Sequence, residues 1–293
     1  MKKSNTHILT WLAWILQGIL VGFGAILPGV SGGALLAAFG LYRPILDLIS
    51  SPIQGIKKYF WLFCFFGIGG VIGFVGLSGL VNALLAWNEA LVKCTFVGFM
   101  LGTVPELWED AGSSLPKETQ KWHRKQDWLA CGIGFVVMLA ILLLLNGTAA
   151  TQMTPGLFAY FFCGICWGLS FVIPGLSAST LLLFFGLYGP MLDGISKLNM
   201  AVCIPLAIGA LVILALLPRL VKAAFARWEA TLSHGILGIV LATTVMIFPF
   251  GDTPDSVPGW IVLVLCILGG LAVSYLLSRL CAKLKANALE REQ

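Results

Sequence analysis

The chain has 293 residues, 59% of them hydrophobic and only 11% charged, with a mean hydropathy of +0.96. Soluble globular domains carry about 25% charged residues, so the composition excludes a soluble fold and marks an integral membrane protein. The net charge of +5 is spread over short connections rather than gathered in a patch, which excludes a nucleic-acid surface and turns Lys and Arg into reporters of membrane topology.

The first element is an apolar run over 8–27 that follows Met1, Lys2 and Lys3. It is about 20 residues long and has no small-residue cleavage site, so it is expected to remain as the first membrane helix. Further apolar segments follow over 31–50, 60–86, 91–104 and 128–145, interrupted at 105–127 by a stretch rich in both charges that is expected to be a solvated connection. A polar, uncharged linker at 146–156 leads to segments over 157–173, 176–195, 200–217, 232–248 and 259–278. The expected fold is all-α and polytopic, with about five segments on each side of the linker. Trp11, Trp14, Trp61, Trp87, Trp128 and Trp260 fall near segment ends, as interfacial anchors do. Cys163 and Cys166 share one helix face but lack a His or a second Cys pair, so they read as packing residues.

The two halves resemble each other. Residues 28–50 and 174–196 are identical at fourteen of 23 positions. Gly18 and Gly22 match Gly164 and Gly168, Gly69 matches Gly209, and Gly98 matches Gly238, with Trp128 set against Trp260. Two repeats are therefore expected, 1–147 and 148–293, together forming one transmembrane domain. The Gly-x-x-x-Gly pairs permit close helix approach, which drives association where lipid supplies no hydrophobic force.

Charge orients the copies. Loops 146–156 and 251–258 hold no Lys or Arg and are placed outside, whereas 15 of the 18 basic residues fall on connections placed in the cytoplasm with both termini. Lys93 and Lys197 remain outside, and Arg43 lies within a segment. Around 79–89 the first half is neutral or acidic where the second half carries Arg219, Lys222 and Arg227. An odd number of segments per half gives this opposite sidedness, the mark of an inverted-topology repeat.

The repeated stretch carries the chemistry. Pro28 and Pro174 interrupt a helix, Gly29 and Gly175 allow a sharp turn, and Ser31 and Ser177 stand where a hydroxyl caps the next helix start. That helix is expected to run about eleven residues, or roughly 16 Å, before Pro44 or Pro190, only half of a hydrocarbon core. Each copy is thus expected to be a re-entrant hairpin or a helix broken at mid-depth. Its free N–H groups and dipole favour an anion. Gly32 and Gly33 let a ligand approach the first copy, and Ser179 and Thr180 add hydroxyls to the second. Packing alone is the competing explanation for such hairpins.

Arg43, matched by Gly189, suits a phosphate or snorkels to the cytoplasmic interface. Asp47 and Asp193 are read as caps of the segment after Pro44 or Pro190, with a coupling proton or cation as the alternative. Tyr42 and Tyr188 are expected to orient the hairpins, Glu89 and Lys93 to form a surface pair, and His234 to lie in a loop near the membrane boundary. No metal-ligand cluster, paired acids or Ser/His/Asp set is present, so no enzyme and no metal is expected.

Pro28-Gly-Val-Ser-Gly-Gly with Phe39-Gly-Leu-Tyr, and Pro174-Gly-Leu-Ser-Ala-Ser-Thr with Phe185-Gly-Leu-Tyr, resemble the bacterial polyprenyl-phosphate transporter family (PopT), formerly a domain of unknown function. The resemblance covers nearly the whole chain. It implies a flippase that returns undecaprenyl phosphate across the bacterial cytoplasmic membrane for cell-envelope synthesis, with the two Pro-Gly-x-Ser hairpins and Tyr-x-Pro-x-x-Asp stretches at its centre. The lipid tail stays in the bilayer while the hairpins shelter the phosphate, and one repeat rocks against the other. The alternatives are an ion-coupled transporter or channel for a small anion, a membrane enzyme acting on a prenyl phosphate, and a non-transporting scaffold. A coupling proton or sodium ion and the oligomeric state stay open.

Overall fold

A computed structural model describes residues 2–28, 35–36, 39, 41, 44, 52–113, 125–146, 154–172, 178–252, 254 and 256–290. Among the described residues the secondary structure is all helical. The helices are α1 (Lys2–Ile26), α2 (Pro52–Trp87), α3 (Glu89–Ser113), α4 (Lys125–Asn146), α5 (Leu157–Val172), α6 (Ala178–Phe184), α7 (Tyr188–Ser196), α8 (Met200–Leu216), α9 (Pro218–Ile247) and α10 (Val257–Glu290), with a short 3₁₀ turn at Phe250–Asp252. Among the described residues five helices are long and apolar enough to cross a membrane. The number is six if α7 and α8, which meet at 114°, are taken as one broken span. Apolar side chains face outward along these spans, with Leu144 74% and Leu276 65% exposed, as lipid-facing positions require.

Segment boundaries shift from the sequence expectation for local reasons. Helix α2 begins at Pro52 rather than 60 and breaks at Tyr59, whose backbone (φ −116°, ψ 26°) leaves the helical region. Helix α9 begins at Pro218 and breaks in the same way at Trp228 (φ −134°, ψ 37°). Helix α3 runs on through Pro105 to Ser113, so the first part of the expected 105–127 loop is helical. The segment expected at 176–195 is two helices, α6 and α7. Most of the segment expected at 31–50 lies outside the described residues.

Glycine seams hold the bundle together. An ideal Cβ on Gly18 would fall under 3.0 Å from Phe66 O, and one on Gly69 under 3.0 Å from Ile15 O, so α1 and α2 touch backbone to backbone. The same contacts recur between α5 and α8, where Gly164 faces Leu206 O and Gly209 faces Phe161 O. A second kind of seam joins the halves. Gly98 on α3 faces Ile267 O and Leu271 N on α10, and Gly238 on α9 faces Cys131 O and Phe135 N on α4. Thus α3 of the first half packs on α10 of the second, and α9 of the second packs on α4 of the first. These contacts pair Cys131 with Ile267 and Phe135 with Leu271, a separation one helical turn longer than the match of Trp128 to Trp260, because the backbone approach and not the interfacial Trp sets the register.

Candidate functional site

The described part of the second copy, 178–196, lies at the centre of the molecule. Ala178, Leu182, Leu187, Tyr188, Met191 and Leu192 are buried in one cluster that also takes in Ile26 of α1, Val81 of α2, Phe96 of α3 and Trp167 of α5. Two short helices, α6 and α7, packed among longer ones are in the setting in which broken backbone is tolerated at membrane depth.

Among the described residues helix α6 spans seven, about 10 Å, and it ends at Phe184, short of the expected stop before Pro190. Pro190 is not what stops it. Gly186 takes a left-handed conformation (φ 68°), its N–H donates to Leu183 O (3.1 Å), and Leu187 N–H donates to Leu182 O (2.9 Å). This is the Schellman ending that glycine makes cheap. Pro190 instead sits in the first turn of α7, where a missing N–H leaves nothing unpaired. The first copy repeats the described part of this turn, since Leu41 N–H donates to Leu36 O (2.9 Å) and Phe39 N–H to Leu35 O (3.0 Å).

Two side chains of α7 anchor the hairpin. Tyr188 is fully buried, donates its Oη–H to Ile26 O (2.7 Å) and meets Phe96 edge to face. Ile26 ends α1 and offers one of the orphan carbonyls of a helix C-terminus, so the second copy ties down the chain just before Pro28, itself buried, where the first copy begins. Asp193 does not cap a helix end. Its Oδ1 accepts from Asn82 Nδ2 of α2 (3.1 Å) and its Oδ2 pairs with Lys197 Nζ (2.8 Å), tying α7 to α2 and to its own last turn.

Ser179 is buried in α6, and Thr180 follows it on the same helix. Gly29, Ser31, Gly32, Gly33, Tyr42, Arg43, Asp47, Pro174, Gly175 and Ser177 lie outside the described residues. Glu89 and Lys93 form the expected pair (2.6 Å). Cys163 and Cys166 are buried, and the described residues contain no cluster able to hold a metal. His234 corrects the sequence expectation. It is fully buried within α9 rather than in a loop, because the helix is already under way from Pro218 when the apolar run over 232–248 begins. Asp127, fully buried at the start of α4, drew no notice in the sequence because an acid next to Lys125 at a segment edge reads as interfacial.

The sequence model of the undecaprenyl phosphate translocase-like family matches this chain twice, over residues 2–114 and 111–258. A polyprenyl-phosphate transporter of Staphylococcus aureus is 27% identical over 92% of this chain and 96% of its own length. A polyprenyl-phosphate transporter of Vibrio cholerae is 24% identical over 84% of this chain and 80% of its own length. No solved structure matches.

Proposed function

The chain belongs to the undecaprenyl phosphate translocase-like family, and on that premise we propose that it is a flippase for undecaprenyl phosphate, not an enzyme, working by alternating access in the bacterial cytoplasmic membrane. The carrying observation is the central position of the second copy: its residues 178–196 supply much of the buried core, and Tyr188 binds α7 to the end of α1, just before the first copy starts. The recurrence of the α1–α2 glycine contacts between α5 and α8 supports two equivalent repeats, 1–147 and 148–293, and the loop charges favour opposite orientations.

In this reading the phosphate binds between the two Pro-Gly-x-Ser copies, held by the N–H groups and hydroxyls of Gly29, Ser31, Gly32, Gly33, Gly175, Ser177, Ser179 and Thr180, with Arg43 on its charge. Such donors replace the water that a phosphate loses on leaving the interface, while the prenyl chain stays in lipid. No reaction at the phosphate is needed, only movement of one repeat against the other.

Reconstitution in liposomes tests this directly by following undecaprenyl phosphate between leaflets. The full chain should accelerate its transfer well beyond empty vesicles, and no acceleration would sink the reading. Transfer of a water-soluble anion instead of the lipid would favour a small-anion carrier, and release of inorganic phosphate would favour an enzyme. Ser31→Ala with Ser177→Ala should slow transfer at least ~10-fold, the scale of losing one or two charge-assisted hydrogen bonds. Arg43→Ala should weaken transfer with expression intact, and unchanged transfer would return Arg43 to the interface.

A further inference from the structure

We propose that Asp127 and His234 form a proton-binding site, and that a proton held there is the coupling ion for movement of the lipid phosphate; this rests on the transport reading above. Both side chains are fully buried, on the two helices of the α4–α9 seam. Thr231 Oγ1 donates to Asp127 Oδ1 (3.3 Å), and one turn along α9, where Gly235 and Gly134 touch, lies His234. Trp108 of α3 closes the group, with its ring 6.4 Å from His234 and 5.0 Å from Trp128.

The histidine geometry fixes the tautomer of the ring. His234 Nδ1 is 2.6 Å from Ala230 O, and a carbonyl only accepts, so Nδ1 carries a hydrogen and the neutral ring takes up its second proton at Nε2. The resulting imidazolium and the carboxylate of Asp127 are opposite charges on one water-poor seam. Ionisable residues in membrane segments are costly and mark ion pathways by default.

The molecule supplies its own control. The α3–α10 seam repeats the α4–α9 contacts, and there Thr231, His234, Asp127 and Trp108 are replaced by Leu91, Cys94, Leu263 and Phe248. The seam therefore forms without any acid or imidazole, so helix contact alone does not require them. Around the site, Lys125 on α4, Arg227 and Glu229 on α9 and Glu109 on α3 are exposed, Glu106 on α3 accepts from Ser278, and the thiol of Cys131 lies one turn along α4. Helices α6 and α8, which also pack on α9, bring no acidic or basic side chain.

A route to the hairpin exists, since α9 contacts α6 directly and breaks at Trp228, less than two turns before His234. Protonation changes the charge beside a backbone hinge on a helix that touches the hairpin.

The test uses the full chain in liposomes containing undecaprenyl phosphate, with a pH difference across the membrane. The wild type should shift the lipid between leaflets in the direction set by the gradient, and Asp127→Asn and His234→Gln should each reduce that gradient-driven shift at least tenfold. In a His7→Gln, His123→Gln background, which leaves His234 as the one imidazole, adding undecaprenyl phosphate should move its NMR titration midpoint, and Asp127→Asn should abolish that movement. The background protein keeps the idea testable if the seam variants fail to fold. Wild-type protein that moves no lipid overturns the transport reading and this proposal with it. Lipid transfer indifferent to the gradient, a gradient effect surviving in both variants, or an imidazole blind to the lipid overturns the proton site alone.

Discussion

Tyr188 shows how one residue can be legible in position and illegible in action. Its place in a duplicated Phe-Gly-Leu-Tyr stretch pointed to hairpin orientation, but nothing in the sequence named Ile26 O as its partner 162 residues away. Asp193 was misread for the same reason. Its neighbours in sequence suggest a cap, whereas its partner Asn82 comes from another helix. Removing the Tyr188 hydroxyl leaves a buried carbonyl unpaired, which costs about 1–3 kcal/mol, with the ring and its edge-to-face contact to Phe96 kept. Tyr188→Phe should therefore lower the midpoint of thermal unfolding in detergent and slow lipid transfer. A variant as stable as the wild type would mean that Ile26 O finds another donor and that the tie between the two copies is not structural.

At the scale of elements, apolar length located the spans, but their ends and breaks escaped it. Hydropathy cannot see that Tyr59 and Trp228 leave the helical region, because both stand beside charged residues just ahead of the apolar runs over 60–86 and 232–248, where hydropathy marks no helix to be broken. Nor does Pro190 end α6, since the glycine four residues earlier already does. The small-residue pairs were legible as close-packing faces, and the backbone distances make them testable with one kind of substitution. A Cβ on Gly164 would fall under 3.0 Å from Leu206 O and the backbone around it, and Gly164→Ala should force α5 from α8 at a cost of about 1–3 kcal/mol. Gly132 on α4 has nothing within 4 Å of such a Cβ, so Gly132→Ala should gain helix propensity, about 1 kcal/mol at most. Thermal midpoints of the two purified variants should move in opposite directions. A Gly164→Ala midpoint that does not fall would show that the α5–α8 seam yields to a methyl group.

For the whole molecule, the duplication was visible in sequence while the way the halves interlock was not. Glycines at 98 and 238 announce a close-packed face without saying which helix fills it. A reading of each half as a self-contained bundle would pair α3 with α4 and α9 with α10. The contacts instead run across, α3 with α10 and α4 with α9, so each half offers two helices whose tightest partners belong to the other. Backbone contact at Gly98 and Gly238 cannot be replaced by lipid tails, which are too disordered to fill a glycine groove and accept no fixed geometry. Neither half should then be stable alone. Expressed separately, 1–147 and 148–293 should be degraded in the membrane, and expressed together they should copurify and recover lipid transfer. If one half accumulates alone and ignores the other, the two repeats are independent bundles, and alternating access cannot come from one rocking against its interlocked partner.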